Sequence, residues 1–189
     1  MSGTADGLAP GFLLAPPPMG DPNFERTIIV MAVHDESGSL GFVINRRANV
    51  SLHTLLRELE IAPSQPDRSV LLGGPVSAST GFVLYEQPGK DPPDSGMQLC
   101  EGVWLSPSRE VLIAAAQGEL PGRYELILGY AGWGPGQLQI ELDRGSWLHL
   151  PMDPTLIFDV ALEQRWDEAY LRLGISPLGF VNVSGGAQA

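Results

Sequence analysis

Short apolar segments, separated by glycine, proline and polar residues, recur along most of the chain. Their shortness and their many β-branched and aromatic side chains predict strands rather than helices. The predicted strands cover residues 26–33, 39–46, 70–72, 80–86, 97–99, 103–105, 123–130 and 147–150. The first two flank a polar turn at residues 34–38, which predicts a β-hairpin.

Helices are predicted where apolar residues recur at helical spacing and capping residues stand at the ends. Ser51 caps the first helix, whose leucines at positions 52, 55, 56 and 59 share one face. Ser106 as cap and Pro107 as first helical residue open the second helix, which ends at Gly118. The last helical region is a broken helix or two successive helices, at residues 154–161 and 163–173.

Hairpins come first in this order of elements, and helices are concentrated later. Such an irregular order favours an α+β fold, with a mixed sheet and helices packed around it, over a doubly wound parallel sheet. A length of 189 residues fits one domain with a substantial core. We therefore predict a single domain over residues 11–180, between flexible tails at 1–10 and 181–189.

The most distinctive stretch is a predicted strand that runs into a glycine-rich corner and then into a third helix, residues 123–142. Its glycines permit backbone angles with φ > 0. Gly134 is the predicted cap of that helix and Pro135 its first residue. Two interpretations remain open. Backbone N–H groups and the helix N-terminus hold an anion, or the glycines merely allow close packing while Trp133 fills the core.

The chain carries 22 acidic against 11 basic residues, a formal net charge of −11. Such a field repels phosphate backbones and anionic membrane surfaces, and no run of lysine or arginine opposes it. We therefore expect no direct nucleic-acid binding, so that any effect on transcription passes through a protein partner. Apolar runs fall short of the roughly 20 residues of a membrane helix, and no secretion signal is evident. These features predict a soluble, cytoplasmic protein.

No pattern typical of nucleophilic catalysis or of a metal site is found. No serine stands in a G-x-S-x-G motif, and the single cysteine, Cys100, has no neighbouring histidine in sequence, which favours an ordinary core thiol. His34, His53 and His149 lack the spacings typical of zinc ligands. We predict no catalytic residue, no metal and no cofactor.

Polar residues at the ends of predicted strands define a candidate binding site together with two glycine-rich corners. Arg46 and Arg123, beside Asn45, would offer guanidinium groups to a phosphate or carboxylate. On the other interpretation, Asn45 orders its turn and the arginines pair with surface acids. Gln137 and Glu141 are four residues apart and share a helix face. The candidate ligand-binding residues are Asn45, Arg46, Gly73, Gly74, Pro75, Arg123, Gly132, Trp133, Gly134, Gln137 and Glu141.

The sequence LGYAGWGPGQL at 128–138, with GGPV at 73–76, GFVINR at 41–46 and FLLA at 12–15, resembles the YqgE/AlgH family of bacterial proteins. The late pair Arg165 and Trp166 also matches. The resemblance implies an α+β fold with a strongly coiled, partly barrel-like sheet, and it carries over no catalytic activity. Some members are labelled transcriptional regulators.

Two positions depart from the family pattern. Arg47 stands where relatives usually have proline, and Tyr85 stands where they usually have histidine. A tyrosine, with an unperturbed pKa near 10, is a poor base at neutral pH.

These observations together predict a non-enzymatic binding or regulatory protein that recognises a small anionic ligand or a protein partner at its glycine-rich corners. One alternative is an enzyme acting on a phosphorylated or nucleotide-like substrate, with Asn45, Arg46, Arg123 and Glu141 as a charged pocket. Another is a transcriptional regulator that acts through a protein partner.

Overall fold

The computed structural model describes residues 7–17, 20–89 and 96–175, so residues 1–6 and 181–189 of the predicted tails lie outside it. Its strands are β1 (Gly11–Leu14), β2 (Ile28–Asp35), β3 (Gly38–Val43), β4 (Arg47–Ser51), β5 (Ser69–Leu72), β6 (Val76–Glu86), β7 (Met97–Cys100), β8 (Val103–Ser106), β9 (Tyr124–Trp133) and β10 (Leu148–Pro151). Its helices are α1 (Leu52–Glu58), α2 (Arg109–Ala116), α3 (Gln137–Asp143), α4 (Thr155–Phe158) and α5 (Arg165–Arg172), with a 3₁₀ turn at Leu162–Gln164. The α+β class predicted from the sequence is confirmed.

The described residues group into two compact units. The first unit is drawn from Met1–Asn45 and Gly132–Ala189, and the second from Arg46–Ala131. None of the described helices is long and apolar enough to cross a membrane.

Antiparallel strands in the order β10, β1, β2, β3 form the sheet of the first unit. The predicted hairpin is confirmed, because β2 pairs with β3 up to Asp35 opposite Gly38. Gly38 has φ +137°, and a Cβ there would lie 2.4 Å from the carbonyl oxygen of Trp133. Glycine is therefore required at this turn by both conformation and space.

A mixed sheet forms the second unit, as predicted. Strands β9, β6, β8 and β7 pair antiparallel in that order, while β5 pairs with β9 in parallel and with β4 antiparallel. Leucines of α1, with Val111 and Ala115 of α2, pack on this sheet in one hydrophobic core. Ser51 caps α1 as predicted, because its hydroxyl oxygen accepts a hydrogen bond from the N–H of Thr54.

Two helices begin later than the sequence indicates. Ser106 is still paired with Val83 in the sheet, so Ser108, and not Ser106, caps α2. Strand β9 likewise runs on to Trp133, and Gly136 in the left-handed conformation precedes α3. The predicted cap at Gly134 is wrong, because strand pairing extends into the glycine-rich corner.

A buried guanidinium ties together the loops of the first unit. Arg165 is 4% exposed and donates hydrogen bonds to the carbonyl oxygens of Ile44, Ile157 (2.6 Å) and Val160 (3.1 Å). These carbonyls belong to two stretches that are far apart in sequence, the residue after β3 and the segment formed by α4 and the residues just after it. The planar fork of arginine reaches all three because its donors are spread over three nitrogens, Nε, Nη1 and Nη2.

The same helix also holds the end of β1. The indole N–H of Trp166 and the phenol of Tyr170 both donate to the carbonyl oxygen of Ala15, at 3.0 and 3.1 Å. The guanidinium of Arg26 lies 4.3 Å from the centroid of the Trp166 ring. The arginine–tryptophan pair of the family resemblance therefore has a structural role in this chain.

We expect Arg165→Met to destabilise the protein by about 3 kcal/mol or more, because it leaves two buried carbonyls and one partly buried carbonyl without their donor. Arg172→Met on the same helix is the matched control, since Arg172 bonds partly exposed Asp153 and Glu168, and we expect it to cost at most about 1 kcal/mol. Urea unfolding followed by circular dichroism measures both free energies. Equal losses in the two variants would contradict the structural role of Arg165.

Burial of Tyr170 predicts a loss of stability at alkaline pH. Burial raises the pKa of this phenol from 10.0 to about 12. Because the folded-state pKa is the higher one, the stabilisation is complete below about pH 10 and is lost as the pH rises through 12. A rise in pKa of this size corresponds to roughly 3 kcal/mol.

Between pH 9 and 12, we expect Tyr170→Phe to lose less stability than the wild type. At neutral pH, we expect this variant to be about 1 kcal/mol less stable than the wild type, because it lacks the hydrogen bond of the phenol. Urea unfolding at a series of pH values measures the difference. Parallel stability curves for the two proteins over that range would refute the assignment.

Candidate binding cleft

A cleft of about 650 Å³ opens in the first unit, within the size range of small-molecule sites. It lies between the loop that precedes β2, the end of β9, helix α3 and the turn before β10. The residues that line it are Pro16, Gly20, Asp21, Phe24, Gly132, Trp133, Gln137, Glu141, Arg144, Gly145, Ser146 and Trp147.

The carboxylate of Glu141 is the centre of the hydrogen bonds in this cleft. Its Oε2 accepts the indole N–H groups of Trp133 at 2.9 Å and Trp147 at 2.8 Å, and its Oε1 accepts the side-chain amide of Gln137 at 3.0 Å. The side-chain oxygen of Gln137, Oε1, in turn accepts a hydrogen bond from the backbone N–H of Gly134 at 3.0 Å. One side chain thus links the end of β9, helix α3 and the start of β10.

Aromatic rings surround this carboxylate. Trp133 and Trp147 meet edge to face, with centroids 6.0 Å apart, and Phe24 meets Trp147 in the same way at 5.5 Å. The two tryptophans are only 7% and 4% exposed. Their rings therefore form a rigid wall, and the polar groups of the cleft are the more accessible part.

The charged groups that line the cleft are more acidic than basic. Asp21 and Glu141 are carboxylates, and Arg144, at the end of α3, is the guanidinium among the lining residues. Asp21 already accepts a hydrogen bond from the backbone N–H of Asn23. Two carboxylates against one guanidinium give the lining of the cleft a net negative charge.

Part of the candidate site predicted from the sequence meets in this cleft. Gly132, Trp133, Gln137 and Glu141 line it, and Gly134 contacts Gln137 beside it. Sequence reasoning missed Phe24, Arg144 and Trp147 as lining residues. Trp147 was visible as an aromatic residue, but no spacing rule joins it to Glu141 across the end of a helix.

Asn45, also in the first unit, has the structural role that the sequence left open. Its side-chain oxygen accepts the backbone N–H of Ile28 at 3.0 Å, and its amide donates to the carbonyl of Arg26 at 2.8 Å. The side chain therefore orders the chain on both sides of the start of β2.

In the second unit, Arg123 pairs with Glu86. Its guanidinium makes two hydrogen bonds to the Glu86 carboxylate, at 3.0 and 2.9 Å, and its backbone N–H adds a third at 2.9 Å. Arg46 is fixed through its main chain, where its carbonyl accepts the N–H of Leu72. Arg123 thus fits the interpretation in which the arginines pair with surface acids.

The GGPV corner serves close packing of backbones in the second unit. A Cβ on Gly73 would lie 2.4 Å from the carbonyl oxygen of Gly129, and one on Gly74 would lie 2.3 Å from the carbonyl of Tyr130. These glycines, followed by Pro75, therefore contact the first part of the other glycine-rich stretch through their main chains. Side chains at these positions would separate the two segments.

The residues considered for acid–base or metal chemistry take structural positions. Tyr85 is fully buried in the hydrophobic core of the second unit, and burial raises the pKa of its phenol, so even less of it is ionised to act as a base at neutral pH. Burial lowers the pKa of His149, and His34 bonds the hydroxyl of Ser39 at 2.7 Å. In the part of the chain that is described, no three histidine, cysteine or acidic side chains are placed to hold a metal ion.

The two remaining positions singled out in the sequence are Cys100 and Arg47. Cys100 is partly exposed in β7, so it is less buried than an ordinary core thiol. Arg47, where relatives usually have proline, begins β4 and donates to the hydroxyl of Ser69 at 3.0 Å. This contact uses a side chain that a proline would lack.

Comparison with known proteins defines the class to which this fold and these motifs belong. The AlgH-like family profile matches residues 12–178. The chain therefore belongs to the AlgH-like family. A UPF0301 protein of Anaeromyxobacter dehalogenans is 43% identical over 97% of this chain and 96% of its own length. One of Xanthomonas campestris is 38% identical over 95% and 96%.

Solved structures agree with this assignment. The solution structure of the AlgH protein from Pseudomonas aeruginosa has a TM-score of 0.77 and 37% identity, over 100% of this chain and 98% of that one. The crystal structure of protein DIP2367 from Corynebacterium diphtheriae, at 22% identity and a TM-score of 0.70, covers 89% and 88% and supports the fold alone.

We expect Glu141→Leu to destabilise the protein by about 2–4 kcal/mol, because it leaves two largely buried indole N–H groups without an acceptor. Asp143→Leu is the control on the same helix. Among the described residues, the exposed carboxylate of Asp143 accepts a side-chain hydrogen bond only from Gln139, four residues earlier, so this change should cost about 0.5 kcal/mol or less. Urea unfolding followed by tryptophan fluorescence measures both. Similar costs would show that Glu141 does not organise the cleft.

Proposed function

We propose that this chain is a non-enzymatic binding protein whose cleft receives a segment of a protein partner, with a basic or other hydrogen-bond-donating group placed on Glu141. The observation that carries this proposal is a carboxylate held in place at an aromatic-walled cleft. A carboxylate has about four acceptor positions, and three are used by Trp133, Trp147 and Gln137. Oε1 therefore keeps capacity for one further donor.

The charges of the cleft favour this partner over a small anion. Asp21 and Glu141 would repel an anionic ligand, and Arg144 alone among the lining residues would attract it. The net charge of −11 adds a field that draws basic partners and repels anions. Of the two ligands predicted from the sequence, a protein partner is thus better supported.

The enzyme alternative gains no support from the contacts of its residues. It needs Arg123 as a phosphate-binding group, but the guanidinium already makes two hydrogen bonds to Glu86. Asn45, assigned to the same pocket, is engaged with the backbone on both sides. A transcriptional role through a protein partner is compatible with the proposal and stays a prediction.

Site-specific photo-crosslinking tests the proposal. With p-benzoylphenylalanine at position 144, on the rim of the cleft, we expect one discrete cross-linked protein from an extract of the encoding bacterium. Glu141→Gln in the same protein should reduce that product about tenfold or more, because a charge-assisted hydrogen bond is lost while the side-chain shape is kept. Added salt should weaken the product as well.

The control places the same cross-linker at Gln139, which is exposed on the same helix but does not line the cleft. Equal products from both positions, or a product at Arg144 that Glu141→Gln leaves unchanged, would refute the proposal. Native mass spectrometry of gently purified protein adds a second readout. A small anion retained by the wild type and lost in Arg144→Gln would favour the anionic alternative instead.

A further inference from the structure

A second pocket, with a different chemistry, lies in the second unit. Its volume is about 200 Å³, and its wall is mostly aliphatic. Leu55 and Leu59 of α1, Leu112 of α2, and Leu126 and Leu128 of β9 supply this wall. This pocket differs from the cleft around Glu141 in charge, in lining residues and in the unit that contains it.

The size of this pocket suits a small apolar body. A dry, leucine-lined cavity of about 150 Å³ is sufficient to bind benzene in a protein core. A space of about 200 Å³ therefore accommodates a benzene ring or a short alkyl chain with one small substituent. Apolar surface removed from water is the driving force for such binding.

A guanidinium stands at the rim of the pocket. Exposed Arg109 donates from Nη2 to the carbonyl oxygen of Leu59 at 2.6 Å, and this is the only hydrogen bond of its side chain within the described ranges. The neighbouring carboxylate of Glu110 accepts the hydroxyl of Ser108 at 2.6 Å. Arg109 is thus anchored by one donor and attracted by the neighbouring Glu110 carboxylate, and its other N–H groups keep hydrogen-bonding capacity for an anion.

We propose that this pocket binds a small carboxylic acid whose apolar body is about the size of a benzene ring, with its carboxylate on Arg109. The leucine wall accounts for the apolar body. The anchored guanidinium accounts for the carboxylate, which it can bind through two parallel hydrogen bonds. The proposal is independent of the function proposed for the cleft.

Titration with phenylacetate and with its neutral analogue 2-phenylethanol, followed by NMR, tests the proposal. We expect phenylacetate to shift signals of residues around Leu59 and Leu112 and to bind about tenfold or more tightly than 2-phenylethanol. Arg109→Gln should remove that advantage and leave the affinity for 2-phenylethanol within about twofold. Arg57→Gln, an exposed arginine of α1 that does not line the pocket, is the control and should change neither affinity.

A filling variant tests the location. Gly81 lines the pocket, and a Cβ there would meet only Leu128 at 3.7 Å and Leu126 at 3.9 Å, which are ordinary contacts. Gly81→Val should therefore keep the fold, since valine suits a strand, while it takes up pocket volume and weakens both probes about tenfold or more. Urea unfolding of each variant checks the fold.

Three results would overturn the proposal. One is the absence of binding of either probe up to about 10 mM. Another is equal affinity of the two probes in the wild type, or an unchanged preference in Arg109→Gln, which would remove the role of the guanidinium. The third is unchanged binding in a folded Gly81→Val protein, which would place the probes elsewhere.

Discussion

The first unit depends on a positive charge that is almost entirely buried. Burying a guanidinium is costly unless its N–H groups are bonded, and Arg165 meets this condition with backbone carbonyls of Ile44, Ile157 and Val160. Because the donors of one planar group have fixed directions, the three carbonyls must keep fixed positions too. Helix α5 is oriented as a result, and its Trp166 and Tyr170 can then both reach Ala15.

The negative charge of Glu141 is stabilised by hydrogen bonds in the same way as the positive charge of Arg165. A carboxylate beside buried rings is stable there because neutral N–H donors of Trp133 and Trp147 surround it. Side chains from three elements are held in this hydrogen-bonded arrangement, so the cleft is rigid before any ligand binds. A preformed site loses less conformational freedom on binding, which is why we assign recognition to this carboxylate.

Local patterns in the sequence were sufficient for much of the fold and for part of the cleft. The β2–β3 hairpin, the Ser51 cap and the shared face of Gln137 and Glu141 all follow from short-range spacing. The pairing of Arg123 with Glu86 does not follow from short-range spacing, because Glu86 is 37 residues away and approaches Arg123 only through the pairing of β6 with β9. Trp147 was missed for the same reason, since its approach to Glu141 depends on the turn between α3 and β10.

The glycine-rich corner shows how one motif can serve two purposes. Up to Tyr130 its main chain lies against Gly73 and Gly74, where a Cβ would collide with backbone, so those glycines are explained by packing alone. From Gly132 onward the chain lines the cleft and delivers Trp133 to Glu141. The packing interpretation that the sequence left open therefore holds for the stretch up to Tyr130, while the stretch from Gly132 onward lines a polar cleft.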